Sequence, residues 1–242
     1  SGTSISFGTA VVFESASSYD FAVTYDTNSQ KIVVAYTDGG NSTYGTAIVG
    51  TVSGTSISFG SAAVFKTANA SGKAMTYDSN SQKIVVAYRD LGNSDQGSCN
   101  VGTVSGTSIS FGSDVVFEAA STNEISATFD SNSNKVVIFY SDEGNSNYGT
   151  ARVGTVSGTS ISFGTAVVFE AATATEMSAI FDSSSNKVVV AYKDAGNSFF
   201  GTAIVGTVSG TSISFGTASV FQESNTQGIS AVFDLSTNKV VI

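Results

Sequence analysis

The stretch GTAIVGTVSGTSISFG at residues 45–60 returns letter for letter at 201–216. Its second half, SGTSISFG, begins at Ser1, Ser53, Ser105, Ser157 and Ser209, a constant interval of 52 residues. A phrase kept at a fixed period marks a structural unit that is used repeatedly and buries its apolar surface on its neighbours. Working outward gives four complete copies (1–52, 53–104, 105–156, 157–208) and a partial fifth (209–242), so 1–242 reads as one repeat domain.

Inside the third copy, four segments are rich in Val, Ile, Phe and Thr: EISATFD (124–130), KVVIFYSD (135–142), GTARVGTV (149–156) and SISFGSDVVFE (108–118). Gly, Asn, Asp and Ser separate them, and none has a helical period, so each predicts a β-strand. They are strands A, B, C and D of the repeat. The connections are short enough for antiparallel neighbours. Strand B is apolar on both faces, as a strand covered on both sides should be. Strand C carries one variable position, Ile48, Asn100, Arg152 and Ile204, which the polar copies place near solvent.

Four-stranded antiparallel units at a period of this length predict an all-β five-bladed propeller, since solenoid coils run shorter. The fifth copy stops at Ile242 without counterparts of AYKDAGNSFFGTAIVGTV (191–208). One blade is then expected to be shared between the termini, with residues 1–14 pairing beside 209–242. A window from a longer repetitive array is the alternative.

The phrases NKVVVAYKDAGNS (186–198), GTAIVGTVSGTSISFG and VVFE resemble the repetitive propeller segments of tail-fibre-like and surface proteins of marine phages and bacteria. The resemblance covers the whole chain and implies an extracellular or virion-surface location, with adhesion as its role. The blade count is also similar to that of tachylectin-type lectins, which implies one sugar site per blade. That second likeness is architectural, and a shared fold does not fix a function.

Variation between copies has a side. The SGT turn between C and D is invariant, and the A–B turns (DTNSQK, DSNSQK, DSNSNK, DSSSNK, DLSTNK) are nearly so. Their leading Asp residues fit turns closed by Asx hydrogen bonds. The D–A links (ESASSYDF, KTANASGK, EAASTNEI, EAATATEM, QESNTQGI) and the B–C loops change freely. In a propeller these two sets share one face, which is therefore the expected recognition surface, with Tyr19, Asp20, Asn123 and Glu124 among its contacts.

The B–C loops keep a D-x-G-N-S frame: Asp38 and Asn41, Asp90 and Asn93, Asp142 and Asn145, Asp194 and Asn197. These side chains offer oxygens to sugar hydroxyls or to Ca2+, although Ca2+ takes about six to eight oxygens and the frame supplies fewer. An Asx turn accounts for the frame equally well. Tyr44, Tyr148, Phe199 and Phe200 follow it and either stack on a ligand or fold onto a neighbouring blade.

Composition narrows the classes. The net charge of −9 argues against nucleic acid and anionic membranes as partners. Without His, and with Cys99 alone, Ser-His-Asp and Cys-His sites and thiolate clusters are excluded. Most carboxylates recur in every copy, so repetition supplies no single acid–base pair, and the sequence predicts no enzyme. A glycan or cell-surface receptor is the expected partner, in a longer repetitive chain or an oligomer. A structural spacer without a ligand is the alternative.

Overall fold

The computed structural model describes residues 7–242. The first unit holds β1 (Ser18–Asp26), β2 (Lys31–Asp38), β3 (Tyr44–Ser53) and β4 (Ser56–Phe59). The long β5 (Ala63–Asp78) leads into β6 (Lys83–Asp90), β7 (Gln96–Ser105) and β8 (Ser108–Phe111). The third unit repeats this as β9 (Val115–Asp130), β10 (Lys135–Asp142), β11 (Tyr148–Ser157) and β12 (Ser160–Phe163). The fourth has β13 (Val167–Asp182), β14 (Lys187–Asp194), β15 (Phe200–Ser209) and β16 (Ser212–Phe215), followed by the short β17 (Ser219–Gln222). A hairpin of β18 (Val232–Asp234) and β19 (Lys239–Val241) ends the chain. All pairings are antiparallel, and the only helices among the described residues are two single 3-10 turns at 143–145 and 195–197.

The turns follow from their residues. Ser53 pairs with Ser56 across two residues, and Gly54 takes φ +61°, which a hairpin of this length demands and glycine adopts without strain. At the same end of the sheet Asp26 accepts from the Asn28 and Ser29 amides at 2.9 and 3.1 Å and from the Ser29 hydroxyl at 2.7 Å. Asp130 repeats the set, so the invariant aspartates close the A–B turns.

Three sequence expectations are corrected here. Strand D is two segments: SISF folds back on the end of β3, while the following residues pair with its start, Ala47 opposite Ala63. The D–A links at 66–73, 118–125 and 170–177 are not loops. They run inside β5, β9 and β13, whose first halves pair with one unit and second halves with the next. Each of these strands is paired with one unit at its start and with the next at its end, with register breaks between, so its polar composition does not release it from the sheet. The variable position of strand C is not at the solvent: Ile48, Asn100 and Ile204 are buried and Arg152 is half-buried. Asn100 is accommodated by hydrogen bonds to Tyr88, Gly112 and Asp114, and Arg152 by the Phe117 carbonyl.

Apolar cores lie between units. Val33, Ala35, Ala47 and Val49 of the first unit meet Ile84, Val86 and Tyr88 of the second, and two further cores join the second to the third and the third to the fourth. The expected closure is not formed. The sheet remains open, residues 7–14 form no strand, and the fifth unit is a two-stranded hairpin paired with nothing else among the described residues. Residues 1–6 of the expected closing segment lie outside the described residues. Phe13 packs instead on Phe21, Tyr36 and Phe59 of the first unit. The chain is thus all-β, antiparallel and repetitive, and the sheet does not fix the number of blades.

Candidate functional site

Where each long strand passes from one unit to the next, its register breaks. Gly72 and Lys73 lie between the pairs Ser71–Arg89 and Ala74–Ala87, so two residues oppose Tyr88 alone. This is a β-bulge, and its first residue adopts a left-handed conformation. The same bulge recurs with Asp20 (φ 56°), Glu124 (φ 52°) and Glu176 (φ 51°) at the position of Gly72 (φ +56°). Gly228 takes that position in the fifth copy (φ +69°).

The bulges of copies two to five converge. Gly72, Glu124, Glu176 and Gly228, with their neighbours, line one cavity of about 370 Å³. Since the same repeat position is supplied four times, the units turn about this cavity. Its wall is held by bonds from one copy to the next. The Glu124 carboxylate accepts from the Glu176 amide at 2.8 Å, and the Glu176 carboxylate accepts from the Gly228 amide. The Ala179 and Ala231 amides donate to the Ser126 and Ser178 hydroxyls at 3.0 and 2.9 Å.

Cationic groups come from the second copy. The Lys73 ammonium is fully buried and donates to the Asp20 carboxylate at 2.9 Å, the Asp20 carbonyl at 3.1 Å and the Thr37 hydroxyl at 2.6 Å. Burial lowers its pKa, and the Asp20 charge opposes that shift. The Arg89 guanidinium donates to Asn123 and, at 2.8 Å, to Asp95, while the Asn123 amide donates to Glu143. Ile125, Met177 and Ile229 add apolar wall. The cavity therefore offers carboxylate acceptors, guanidinium and amide donors and apolar patches together, the mixture that suits a small polyhydroxylated ligand.

Of the residues singled out in the sequence, Asn123 and Glu124 line the cavity, and Asp20 reaches its wall through Lys73. Tyr19 is exposed on β1. The D-x-G-N-S aspartates are not presented to a ligand. Asp38 accepts from the Gly40 and Asn41 amides at 2.9 and 3.1 Å, Asp90 from Gly92 at 3.1 Å, and Asp194 from Asn197 at 3.2 Å. All four of these aspartates, Asp142 included, are buried, and Asp142 has its pKa raised by burial and by the nearby Glu118 charge. They are turn residues, while Asn41, Asn93, Asn145 and Asn197 stay exposed on the loops. Among the described residues no group of three or more acidic or Cys side chains forms a metal site.

The aromatics divide. Tyr44, Tyr148 and Phe200 are half-buried at the starts of their strands, whereas Phe199 is exposed at φ 62° with the Lys193 ammonium 5.3 Å from its ring. The B–C loops and the links do share a face, since the Leu91 amide donates to Asn69, Thr122 to Asp95 and Thr226 to Phe199. Sequence reasoning missed Lys73, Arg89, Glu176 and Met177 as cavity residues. The available signal was the sequence Asp, Gly, Glu, Glu, Gly at one repeat position, where glycine in two copies points to a left-handed backbone.

No family model and no curated protein matches the chain. Among solved structures it is similar to an exo-β-1,3-galactanase from Phanerochaete chrysosporium in complex with β-1,3-galactotriose, at 7% identity and a TM-score of 0.52. A second structure of that enzyme, with galactose, aligns at 7% identity and a TM-score of 0.48. Each alignment covers 83% of this chain and 49% of the other, so the chain spans about half the length of the enzyme. The first likeness shows a shared fold. It corrects the expectation that the chain is no enzyme, because a glycoside-cleaving protein has this fold. The argument from repetition also fails locally: only copies three and four place glutamate at the cavity, so the copies are not equivalent there.

Proposed function

We propose that the chain is a carbohydrate-binding β-propeller, its copies arranged as five blades around the axial cavity, and that this cavity receives the sugar. The observation that carries the reading is the backbone at Glu124 and Glu176. Both hold a left-handed conformation that costs a side-chain-bearing residue roughly 1–2 kcal/mol and that Gly72 and Gly228 adopt freely in the same position. Strain kept at a cavity wall, where a glycine would relieve it, marks side chains retained for what they touch. The two carboxylates would accept from sugar hydroxyls, Arg89 and Asn123 would donate, and Met177 and Ile229 would meet the apolar face of the ring. The likeness to a protein solved with β-1,3-galactotriose makes galactosides the first probes.

The test is calorimetric titration of galactose and β-1,3-linked galacto-oligosaccharides into the wild type, Glu124→Gly and Glu176→Gly. Each variant relieves the backbone strain and loses one bond to the next copy, so it should melt near the wild-type temperature while losing at least tenfold in affinity. Unchanged affinity in both, or no binding by the wild type, rejects the reading. A second reading, cleavage of a glycosidic bond, is favoured by the presence of two glutamates in one cavity, the group type that acid–base or nucleophilic glycoside hydrolysis requires. Product release from β-1,3-galacto-oligosaccharides that disappears in Glu124→Gln or Glu176→Gln would establish it. No release from substrates the wild type binds would dismiss it.

A further inference from the structure

The cations at the axial cavity are already matched, and two of its anions are not. The Lys73 ammonium is fully buried and pairs with Asp20 at 2.9 Å, and the Arg89 guanidinium pairs with Asp95 at 2.8 Å. Glu124 and Glu176 line the same cavity, and no ammonium or guanidinium of the described residues pairs with either. Each gives its Oε2 to the amide of the next copy, while its Oε1 accepts from no donor among the described residues. Glu143, bonded by the cavity residue Asn123, adds negative charge beside them. The two glutamates belong to the third and fourth copies, each with a further copy on either side, so the imbalance does not arise at an end of the chain.

A ligand that neutralises this wall gains more than one that only bonds to it. A hydrogen bond between ionised partners is about twice as strong as a neutral one. Partial shelter from water strengthens it further, and Glu176 is half-buried. A negative ligand would instead meet two carboxylates of its own sign, a repulsion that discriminates against it. The net charge of −9 over the whole chain favours the approach of cations in the same sense.

We infer that the cavity selects sugars bearing a free ammonium group, hexosamines with an unacetylated amine, over neutral sugars and over uronic acids. The inference rests on the reading of this cavity as a sugar site and adds to it the charge of the ligand. The ammonium donates to the free Oε1 atoms of Glu124 and Glu176, which leaves Arg89 and Asn123 to the hydroxyls. Acetylation of the amine removes the charge that the wall selects, and a sugar carboxylate reverses it.

Calorimetric titration near pH 6, where a sugar amine is protonated, tests it with galactosamine, galactose, N-acetylgalactosamine and galacturonic acid. The wild type should bind galactosamine at least tenfold more tightly than galactose. N-acetylgalactosamine should bind no better than galactose, and galacturonic acid should bind most weakly. The double variant Glu124→Gln/Glu176→Gln keeps an oxygen for each amide of the next copy but lacks the charge. In it galactosamine should lose more affinity than galactose, until the two bind alike, and circular dichroism melts check that it folds. A wild type that binds galactose as tightly as galactosamine overturns the inference and leaves the sugar reading standing. A preference for galactosamine that persists in the double variant overturns it as well. A wild type that binds none of the four rejects both.

Discussion

The bulges that build the cavity rest on tyrosines, and this makes the fold sensitive to alkali. Each complete unit places one tyrosine opposite its bulge, and Tyr36, Tyr88, Tyr140 and Tyr192 are fully buried. The Tyr36 hydroxyl donates to Glu14 at 3.4 Å, Tyr140 to Glu118 at 3.0 Å and Tyr192 to Glu170 at 2.9 Å, while Tyr88 donates to Asn100 at 2.6 Å. Burial first, and neighbouring carboxylates second, push all four phenols above their ordinary value. In the unfolded chain they ionise near pH 10. Above that pH the folded protein keeps protons that the unfolded chain releases, so stability falls as pH rises. One such group removes about 1.4 kcal/mol per pH unit, and four remove about 5.5 kcal/mol, against a typical total of about 5–15 kcal/mol. Lys73 has the opposite sign. Its folded pKa is lowered, so it adds stability as pH climbs toward the ordinary lysine value, but it is one group against four. Tyrosinate absorbance and far-ultraviolet circular dichroism, followed together from neutral pH into alkali, should show four of the nine tyrosines silent until the sheet signal collapses cooperatively. Tyr140→Phe should reduce the loss of stability per pH unit by about a quarter. Smooth ionisation of all nine tyrosines with the sheet signal intact would refute the reasoning.

Three further outcomes follow from the packing and the turns. Phe117→Ala should cost about 3–5 kcal/mol by chemical denaturation, because the ring is fully buried against Tyr140 and Phe163 with centroids at 5.2 and 6.0 Å. Gly97→Ala should destabilise as well, since its Cβ would stand 2.4 Å from the Phe117 ring. Asp182, the exposed turn carboxylate of the fourth unit, is held at about 2 by the Ser184 and Ser185 hydroxyls and amides. Its contribution is complete above the ordinary carboxylate pKa and is lost as pH falls toward 2, which carboxyl NMR titration of the wild type and Ser185→Ala will read as a rise in that pKa in the variant.

The repeat, the strand order and the two turn types were legible because each rests on local chemistry: a fixed period, a glycine where φ is positive, an aspartate whose oxygens close a turn. The links between units were misread because their composition is polar. ESASSYDF and EAASTNEI contain few residues that favour strands, yet EAASTNEI lies wholly inside a sixteen-residue strand. Sheet partners on both sides override the propensity of such a stretch. The axial cavity was invisible for a different reason. It is assembled from residues one whole repeat apart, and only the mixture of glycine with acids at one position hinted that the backbone there is left-handed.

The strand C position teaches most about reading repeats. Asn100 and Arg152 looked like solvent-facing variation, but the change at Asn100 is coupled to others. Where the remaining complete copies carry Glu14, Glu118 or Glu170 as the tyrosine's acceptor, the second carries Lys66, which has no acceptor to offer. The Asn100 carbonyl takes over as acceptor for Tyr88, its amide donates to Asp114 at 2.9 Å, and Asp114 in turn pairs with Lys66 at 2.5 Å. Asp114 stands where Ala10, Ala62, Ala166 and Ala218 stand in the other copies, so three departures from the common pattern form one satisfied network. A buried polar group left without its partner costs about 1–3 kcal/mol, so any one of the three changes made alone would be disfavoured. Variation at a buried repeat position therefore reports compensation. At the strained bulge, by contrast, the Glu124 and Glu176 carboxylates accept from the next copy's amide, a side-chain bond that Gly72 does without in the same position, and each keeps a left-handed backbone that glycine would relieve.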